Sequence, residues 1–325
     1  MLKISVVVCT YNGEKYLKEQ LDSILAQTYP IHEIIVQDDQ STDKTWEILQ
    51  SYAQQFPQIR IFSNMGLHGI NGNFFSAMSK ATGDFIAISD QDDIWEKDKL
   101  LWQAEGIGNH LLCSGHSVPF STDGYPIKAD MRIPNTHLIR NTYICELPGH
   151  SMLFKRELLD WIRGGESLPL YYDWQLLNAA AAAESVLFLP KVLVHFRRHA
   201  NAATATAPVG GKMLSQSALN YVWTCLAHHG RLQWEVRRRF KTVVPFLQKL
   251  PVNTLSLRQA LYMGELQLQT SPSAFFKKVR FFLRNRKHLF HATEPRPLVC
   301  WLRALFFVFS CGFYYRAYLH LPKNR

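Results

Sequence analysis

Ile4-Ser-Val-Val-Val-Cys9 runs straight into the polar Thr10-Tyr-Asn-Gly13, and Asp84-Phe-Ile-Ala-Ile-Ser89 runs straight into Asp90-Gln-Asp-Asp93. Both are short, continuous apolar runs of the kind that form strands buried on both faces. Between them the pattern alternates. Tyr16, Leu17, Leu21, Ile24 and Leu25 recur at helical spacing within 14–28. Glu33-Ile-Ile-Val36 reads as a strand. Asp43 to Phe56 reads as a helix, with Ser41, Thr42 or Asp43 as N-cap candidates. Ile59 to Phe62 is a further strand, and Asn71 to Ala81 a helix that Gly83 ends. Strands and helices in alternation predict a doubly wound, mostly parallel α/β sheet flanked by helices. Ligands bind such sheets at the carboxyl ends of the strands. The polar clusters Thr10-Tyr11-Asn12, Asp38-Asp39, Asn64-Gly66 and Asp90-Asp93 all fall there.

Beyond residue 100 the pattern loosens. Leu111 to Phe120 reads as a strand, 121–135 as a loop, and Gly149 to Ile162 as a loop entering a helix. Asp173 to Glu184 is an Ala-rich helix, and Val186 to Leu189 and Val192 to Phe196 are two strands. Residues 200–211 read as a linker. The rest is helical, basic and aromatic. Two domains are expected, 1–205 and 212–325.

Of 325 residues, 47% are apolar and 19% charged, which excludes disordered and collagen-like classes. The six cysteines form no CxxC pair and have no zinc-ligand spacing, which suits a reduced compartment. The net charge of +10 is lopsided: 212–325 holds 19 Lys and Arg against three acids, while 1–211 is net acidic. That asymmetry points the second part toward an anionic membrane or nucleic acid. No secretory signal is read, and no apolar run is long enough to span a bilayer.

Asp90, Asp92 and Asp93 put three carboxylates in four residues. A hard divalent cation, Mg²⁺ or Mn²⁺, would offset that charge and hold a diphosphate; a solvated acidic turn capping the next helix would do equally. A carboxylate at Asp38-Asp39 could accept the imino N–H of uracil or thymine, or the N1–H of guanine. It could also simply cap the next helix. Thr10, Tyr11 and Asn12 offer a hydroxyl and a stacking ring for a base, or form a plain strand-to-helix turn.

Val6 to Gly13, Ile35 to Asp43 and Ser89 to Trp95 together resemble the family 2 glycosyltransferases of GT-A fold, in that family's order and spacing, over about residues 3–200. The resemblance implies nucleotide contacts from Thr10, Tyr11, Asn12, Asp38, Asp39 and Asp90. Asp90 and Asp92 fall on the DxD motif, with Asp92, joined by His199, on an Mg²⁺ or Mn²⁺ ion. Tyr171-Tyr172-Asp173-Trp174 resembles the motif whose Asp is the general base, which makes Asp173 catalytic, with Tyr172 where an acid or His is usual. Asp93, Gly149, Trp174, Arg197 and Arg198 become candidate acceptor or phosphate contacts. The implied activity is that of an inverting, metal-dependent hexosyltransferase. It would use dTDP-rhamnose or a UDP-hexose and a lipid-linked glycan acceptor in surface polysaccharide synthesis, as bacterial rhamnosyltransferase-like enzymes do. The alternative is a catalytically silent nucleotide-binding scaffold of a polysaccharide assembly complex.

In the basic extension, Ser273 to Lys287 read as a helix puts Phe275, Val279 and Phe282 near one face and Lys278 and Arg280 off it. Residues 298–319 add an aromatic-rich apolar stretch with snorkelling arginines. The expected partner is the anionic inner face of the cytoplasmic membrane, bound peripherally. The competing reading is a helical subdomain packed on the catalytic domain. No nucleic-acid motif accompanies the charge.

Overall fold

A computed structural model describes residues 1–122, 124, 127–199, 218–290 and 296–312. In chain order the strands are β1 (Ile4–Thr10), β2 (Glu33–Asp38), β3 (Ile59–Ser63), β4 (Phe85–Ser89), β5 (Ile94–Trp95), β6 (Leu112–Phe120), β7 (Leu153–Lys155) and β8 (Val186–Arg197). The helices are α1 (Leu17–Leu25), α2 (Thr45–Gln55), α3 (Ile70–Met78), α4 (Lys99–Gly106), α5 (Leu138–Asn141), α6 (Leu158–Trp161), α7 (Tyr172–Ala182), α8 (Ala218–Ala227), α9 (His229–Gln248), α10 (Leu255–Leu268), α11 (Pro272–Arg284), α12 (Arg286–Leu289) and α13 (Pro297–Ser310). The chain divides into two compact units. One comprises Met1–Phe120, Leu147–Ala180 and Ser185–Arg197, the other Ser121–Glu146, Ala181–Glu184 and the residues from Arg198 onward.

The first unit is an α/β domain around one sheet of order β3-β2-β1-β4-β7-β6-β8-β5. Strands β1 to β4 pair in parallel. Every residue of β1, β2 and β4 is buried, as the continuous apolar runs predict. Leu17, Leu21 and Ile24 of α1 and Leu49 of α2 share one core cluster with Val6, Val8, Ile34 and Val36. The far half of the sheet is mixed: β7 lies antiparallel to β4 and β6, β8 parallel to β6, and β5 antiparallel to β8.

Three expectations change in detail. The segment expected as a loop entering a helix contains β7, which inserts between β4 and β6. Its three residues are too few to show a period. The two strands expected at 186–196 are one, β8, whose register against β6 slips around His116 opposite the Pro190 region; proline is tolerated at such irregularities. Helix α2 starts at Thr45 rather than Asp43, and Asp43 Oδ1 accepts from Thr45 N at 3.0 Å.

The second unit is helical. Its core includes Phe240, Phe282, Phe290, Phe307 and Tyr143. The 121–135 loop leads into α5, where Arg140 pairs with Glu146 and donates to the Leu289 carbonyl at 2.5 Å. His137 stacks on His288 with ring centres 3.9 Å apart. Helix α11 departs from the expected face: Lys278 is buried, not solvated, and its Nζ donates to the Gln269 carbonyl at 3.0 Å. The long Lys stem packs while its head finds a carbonyl at the preceding turn. The expected linker at 200–211, and residues 313–319 of the apolar stretch, lie outside the described residues.

Candidate active site

The carboxyl ends of β1, β2 and β4 carry three loops that hydrogen bonds sew together. Thr10 Oγ1 donates to Asp38 Oδ1 at 2.7 Å. Ser41 also donates to Asp38, from Oγ at 2.5 Å and from N at 2.8 Å. Asp38 is 2% exposed, so its carboxylate organises the turn from within. Asn12 stands at φ 49°, a left-handed conformation that asparagine tolerates better than most residues. Its N–H donates to Ser41 Oγ, and its Oδ1 accepts from Thr42 N, both at 2.8 Å. Tyr11, next to it, is 57% exposed.

Asp39 sits where β2 ends, its carboxylate ringed by donors. Asn64 Nδ2 reaches Oδ1 at 2.7 Å, His68 Nδ1 lies 2.9 Å from the same oxygen, and Gly69 N reaches Oδ2 at 2.7 Å. The loop after β3 is thereby folded over the Asp39 carboxylate. A carboxylate offers about four lone-pair sites, so room remains for one more donor.

The acidic turn between β4 and β5 is fixed from both sides. Gln91 Oε1 accepts from Tyr11 N at 2.8 Å, and Gln91 Nε2 donates to Tyr11 O at 3.0 Å. Gly13 makes that contact possible, since a Cβ there would stand 2.3 Å from Gln91 Oε1. On the other side, Arg197 N donates to Asp93 Oδ1 at 3.0 Å, and Arg197 Nε donates to the Asp92 carbonyl at 3.1 Å. The Arg197 guanidinium pairs with Glu19 and lies 4.4 Å and 4.5 Å from the ring centres of Tyr16 and Phe120. Arg197 is thus buried and committed to holding the turn.

Asp90, Asp93 and His150 meet within the turn, with one ligand-capable atom from each lying within 4.8 Å of the others. His150 Nδ1 is 3.1 Å from Asp90 Oδ2 and 3.2 Å from Asp93 Oδ2, while Nε2 is 2.7 Å from Ser117 Oγ. The shorter carboxylate contact is the hydrogen bond, and the buried Asp93 Oδ2 makes none. Burial pushes the Asp93 carboxyl up, aided by Asp90 and Asp92 and opposed by His150. Burial also works against the His150 imidazolium, but the three carboxylates outweigh it and raise its pKa. Once His150 gives up its Nδ1 proton, its imidazole nitrogen and two carboxylate oxygens, one of them buried without a hydrogen bond, would fit a divalent Mg²⁺ or Mn²⁺ ion.

Asp173 opens α7 and is partly buried. Trp174 N donates to its Oδ1 at 2.7 Å, and Gly149 N–H supplies a second donor. Burial pushes its carboxyl up to about 6, with Asp90 adding to the effect. Tyr172, in the position where the resembled motif has an acid or His, points inward and stacks on Phe74 at 4.1 Å. A Cβ on Gly149 would lie 2.3 Å from its hydroxyl, so glycine is needed where these segments cross. Asn71 anchors the start of α7, accepting from Tyr172 N at 2.9 Å and donating to the Leu170 carbonyl at 2.8 Å.

The first unit therefore holds Thr10, Tyr11, Asn12, Asp38, Asp39, Asp90, Asp92, Asp93, Gly149, Asp173, Trp174 and Arg197. Trp174 is 3% exposed and belongs to the core. Arg198 and His199 are buried residues of the second unit. Sequence alone assigns no role to His150 or Gln91; His150 stands there only as the end of Leu147-Pro148-Gly149-His150, which resembles the family's Gly-containing acceptor loop. A glutamine inside an acidic run carries no signal of its own. His150 offered one faint cue, a histidine between Gly149 and Ser151 in a turn flanked by apolar runs.

Residues 5–161 match the family described as Glycosyl transferase family 2. An uncharacterized glycosyltransferase of Nostoc sp. is 24% identical over 328 residues, covering 88% of this chain and 98% of that one. TarS of Staphylococcus aureus is a poly(ribitol-phosphate) β-N-acetylglucosaminyltransferase. It is 37% identical over 114 residues, which are 34% of this chain and 20% of TarS. A crystal structure of TarS residues 1–349 with UDP-GlcNAc aligns over 97% of this chain and 92% of that one, at TM-score 0.56 and 17% identity. A mannosyltransferase from Pyrobaculum calidifontis, solved with GDP-Man and Mn²⁺, aligns over 97% and 85%, at TM-score 0.52 and 20% identity. The shared architecture is the GT-A glycosyltransferase fold.

Proposed function

With residues 5–161 belonging to glycosyl transferase family 2, we propose that this glycosyltransferase is an inverting, metal-dependent hexosyltransferase of cell-surface polysaccharide synthesis. It moves a sugar from a nucleoside diphosphate to a hydroxyl of a glycan acceptor carried on a lipid. The observation that carries the reading is the acidic group of Asp90, Asp93 and His150, joined through Gln91 to the loop that bears Tyr11. Diphosphate and base thereby have adjoining, mutually braced seats.

The residues divide the work. Asp39 accepts the imino N–H of the base, and the exposed Tyr11 ring stacks on it. Asp38 and Asn12 act one step back, shaping the turn. Asp90, Asp93 and His150, with Asp92 beside them, would hold the divalent cation that offsets the diphosphate charge. A divalent ion there supplies Lewis-acid stabilisation of the leaving diphosphate. Asp173 takes the proton from the acceptor hydroxyl as that oxygen attacks the anomeric carbon in line. A carboxylate with its pKa near 6 is still ionised at neutral pH and is a better base than an ordinary one.

The donors to test first are dTDP-rhamnose and UDP-hexoses, the latter of the class bound in the TarS structure. The basic extension is read as the part that keeps the enzyme on the inner face of the cytoplasmic membrane, near its acceptor. No helix among the described residues is long and apolar enough to cross a bilayer.

The deciding experiment is thermal unfolding with UDP, dTDP, GDP and CDP, each with and without Mn²⁺. A nucleotide at about a hundred times its Kd adds about 2.7 kcal/mol. A metal-dependent shift with UDP or dTDP is expected. No shift with any of the four would sink the proposal.

A further inference from the structure

Helices α11 and α13 of the second unit pack through an aromatic seam, with Phe282 and Phe307 ring centres 4.9 Å apart and Phe275 and Phe309 5.7 Å apart. Each helix also has an apolar stripe facing away from that seam. On α13, Leu298, Trp301, Leu302 and Leu305 are all exposed, and their spacing makes one continuous helical face. On α11, Phe276 is 70% exposed and begins a stripe that continues through Val279 and Leu283. The two stripes meet at a groove of about 360 Å³, where Trp301 faces Phe276 and Leu283. Arg280, Arg284 and Arg286 complete the groove, and none of its lining residues is acidic. Neither Arg280 nor Arg284 has an ion-pair partner among the described residues.

Contiguous exposed leucines and tryptophan need a cover. A second copy of the same face would set arginine against arginine. Nucleic acid would satisfy the arginines but gives aliphatic side chains nothing to bury against. Aliphatic side chains, an interfacial tryptophan and unpaired arginines on one face match the layers of an anionic bilayer: acyl chain, interface and phosphate.

We infer that this α11–α13 face is a docking surface for an anionic phospholipid bilayer. Arg280, Arg284 and Arg286 meet headgroup phosphates, while Leu298, Trp301 and Leu302 enter the acyl boundary. The inference deepens the membrane part of the function proposed above and is independent of the transfer chemistry.

The test is cosedimentation of the full chain with vesicles of phosphatidylcholine alone or mixed with phosphatidylglycerol. Binding is expected only with the anionic lipid, and Arg280→Gln and Arg284→Gln should each weaken it about fivefold. Leu298→Ser combined with Leu302→Ser should abolish it. Brominated acyl chains should quench tryptophan fluorescence less in Trp301→Phe than in the parent chain. Equal binding to neutral vesicles, unchanged binding by the arginine variants, or an oligonucleotide that competes fully with vesicles would overturn the inference. Nucleotide-induced thermal shifts measured on the same variants should be unchanged. A missing nucleotide shift in the parent chain would instead count against the transferase reading.

Discussion

Gln91 grips Tyr11 by both ends of its main chain, accepting from its N–H at 2.8 Å and donating to its carbonyl at 3.0 Å. One side-chain amide thereby locks the β1 loop to the acidic turn, the two parts proposed to hold one nucleotide. Gln91→Ala should lose about 1 kcal/mol of stability and weaken nucleotide binding about tenfold by calorimetry. Gly13→Ala displaces the same amide. The two substitutions together should therefore cost clearly less than the sum of each alone. Simple additivity would refute the coupling.

His150 neutralises two carboxylates that would otherwise face each other. His150→Ala removes that charge and leaves Asp93 buried without its cation. In metal-free protein the loss should be about 3–5 kcal/mol in thermal or denaturant unfolding. Mn²⁺ should no longer enhance the nucleotide-induced shift. A variant that keeps the full Mn²⁺ effect would move the ion elsewhere.

Asp173 is proposed to act on the acceptor proton rather than on the donor. Asp173→Asn should cut kcat by about 10²–10⁴ and leave UDP or dTDP affinity within twofold. The base works only when ionised, so with its carboxyl at about 6 the transfer rate should fall as pH drops through that value. A flat profile from pH 5 to 8 would remove Asp173 from the base role.

Lys99 is fully buried, its Nζ 3.7 Å from the Trp95 ring centre and bonded to Gln103 Oε1 at 3.1 Å. Burial brings its pKa down to about 7, against about 10.4 in an unfolded chain. Between those values the unfolded state binds the proton more readily, so stability should rise as pH climbs from 7 to 10. The destabilisation is fully present below pH 7. Lys99→Met should be more stable than the parent at neutral pH and below, and should lose this part of the alkaline rise. Denaturant titrations at pH 6 and pH 9 decide it, and an unchanged rise would clear Lys99.

The parallel half of the sheet was readable because β1, β2 and β4 are buried on both faces, and burial on both faces writes itself as an unbroken apolar run. Strands β5 and β7, of two and three residues, are held by their neighbours and leave no period to find. The acidic turn was legible as a cluster, but spacing does not say which of Asp90, Asp92 and Asp93 turns inward. That depends on Arg197, a hundred residues downstream, whose N–H takes Asp93. Lys278 misled for a related reason. A charge in a sequence suggests solvent, whereas the Lys278 stem packs and its head bonds Gln269.

The order of the strands has a mechanical consequence. Strands β4 and β5 are joined by only four residues, Asp90 to Asp93, yet they stand fourth and eighth in the sheet. Across a flat sheet the separation would be roughly 19 Å at about 4.8 Å per strand. The chain from Ser89 to Ile94 reaches roughly 18 Å at full stretch, and less in a turn. The sheet must therefore bend round to bring its eighth strand back toward its fourth, with the acidic segment drawn across the bend like a string across a bow. Shortening the segment would pull β5 away from β8, and lengthening it would loosen the acidic turn.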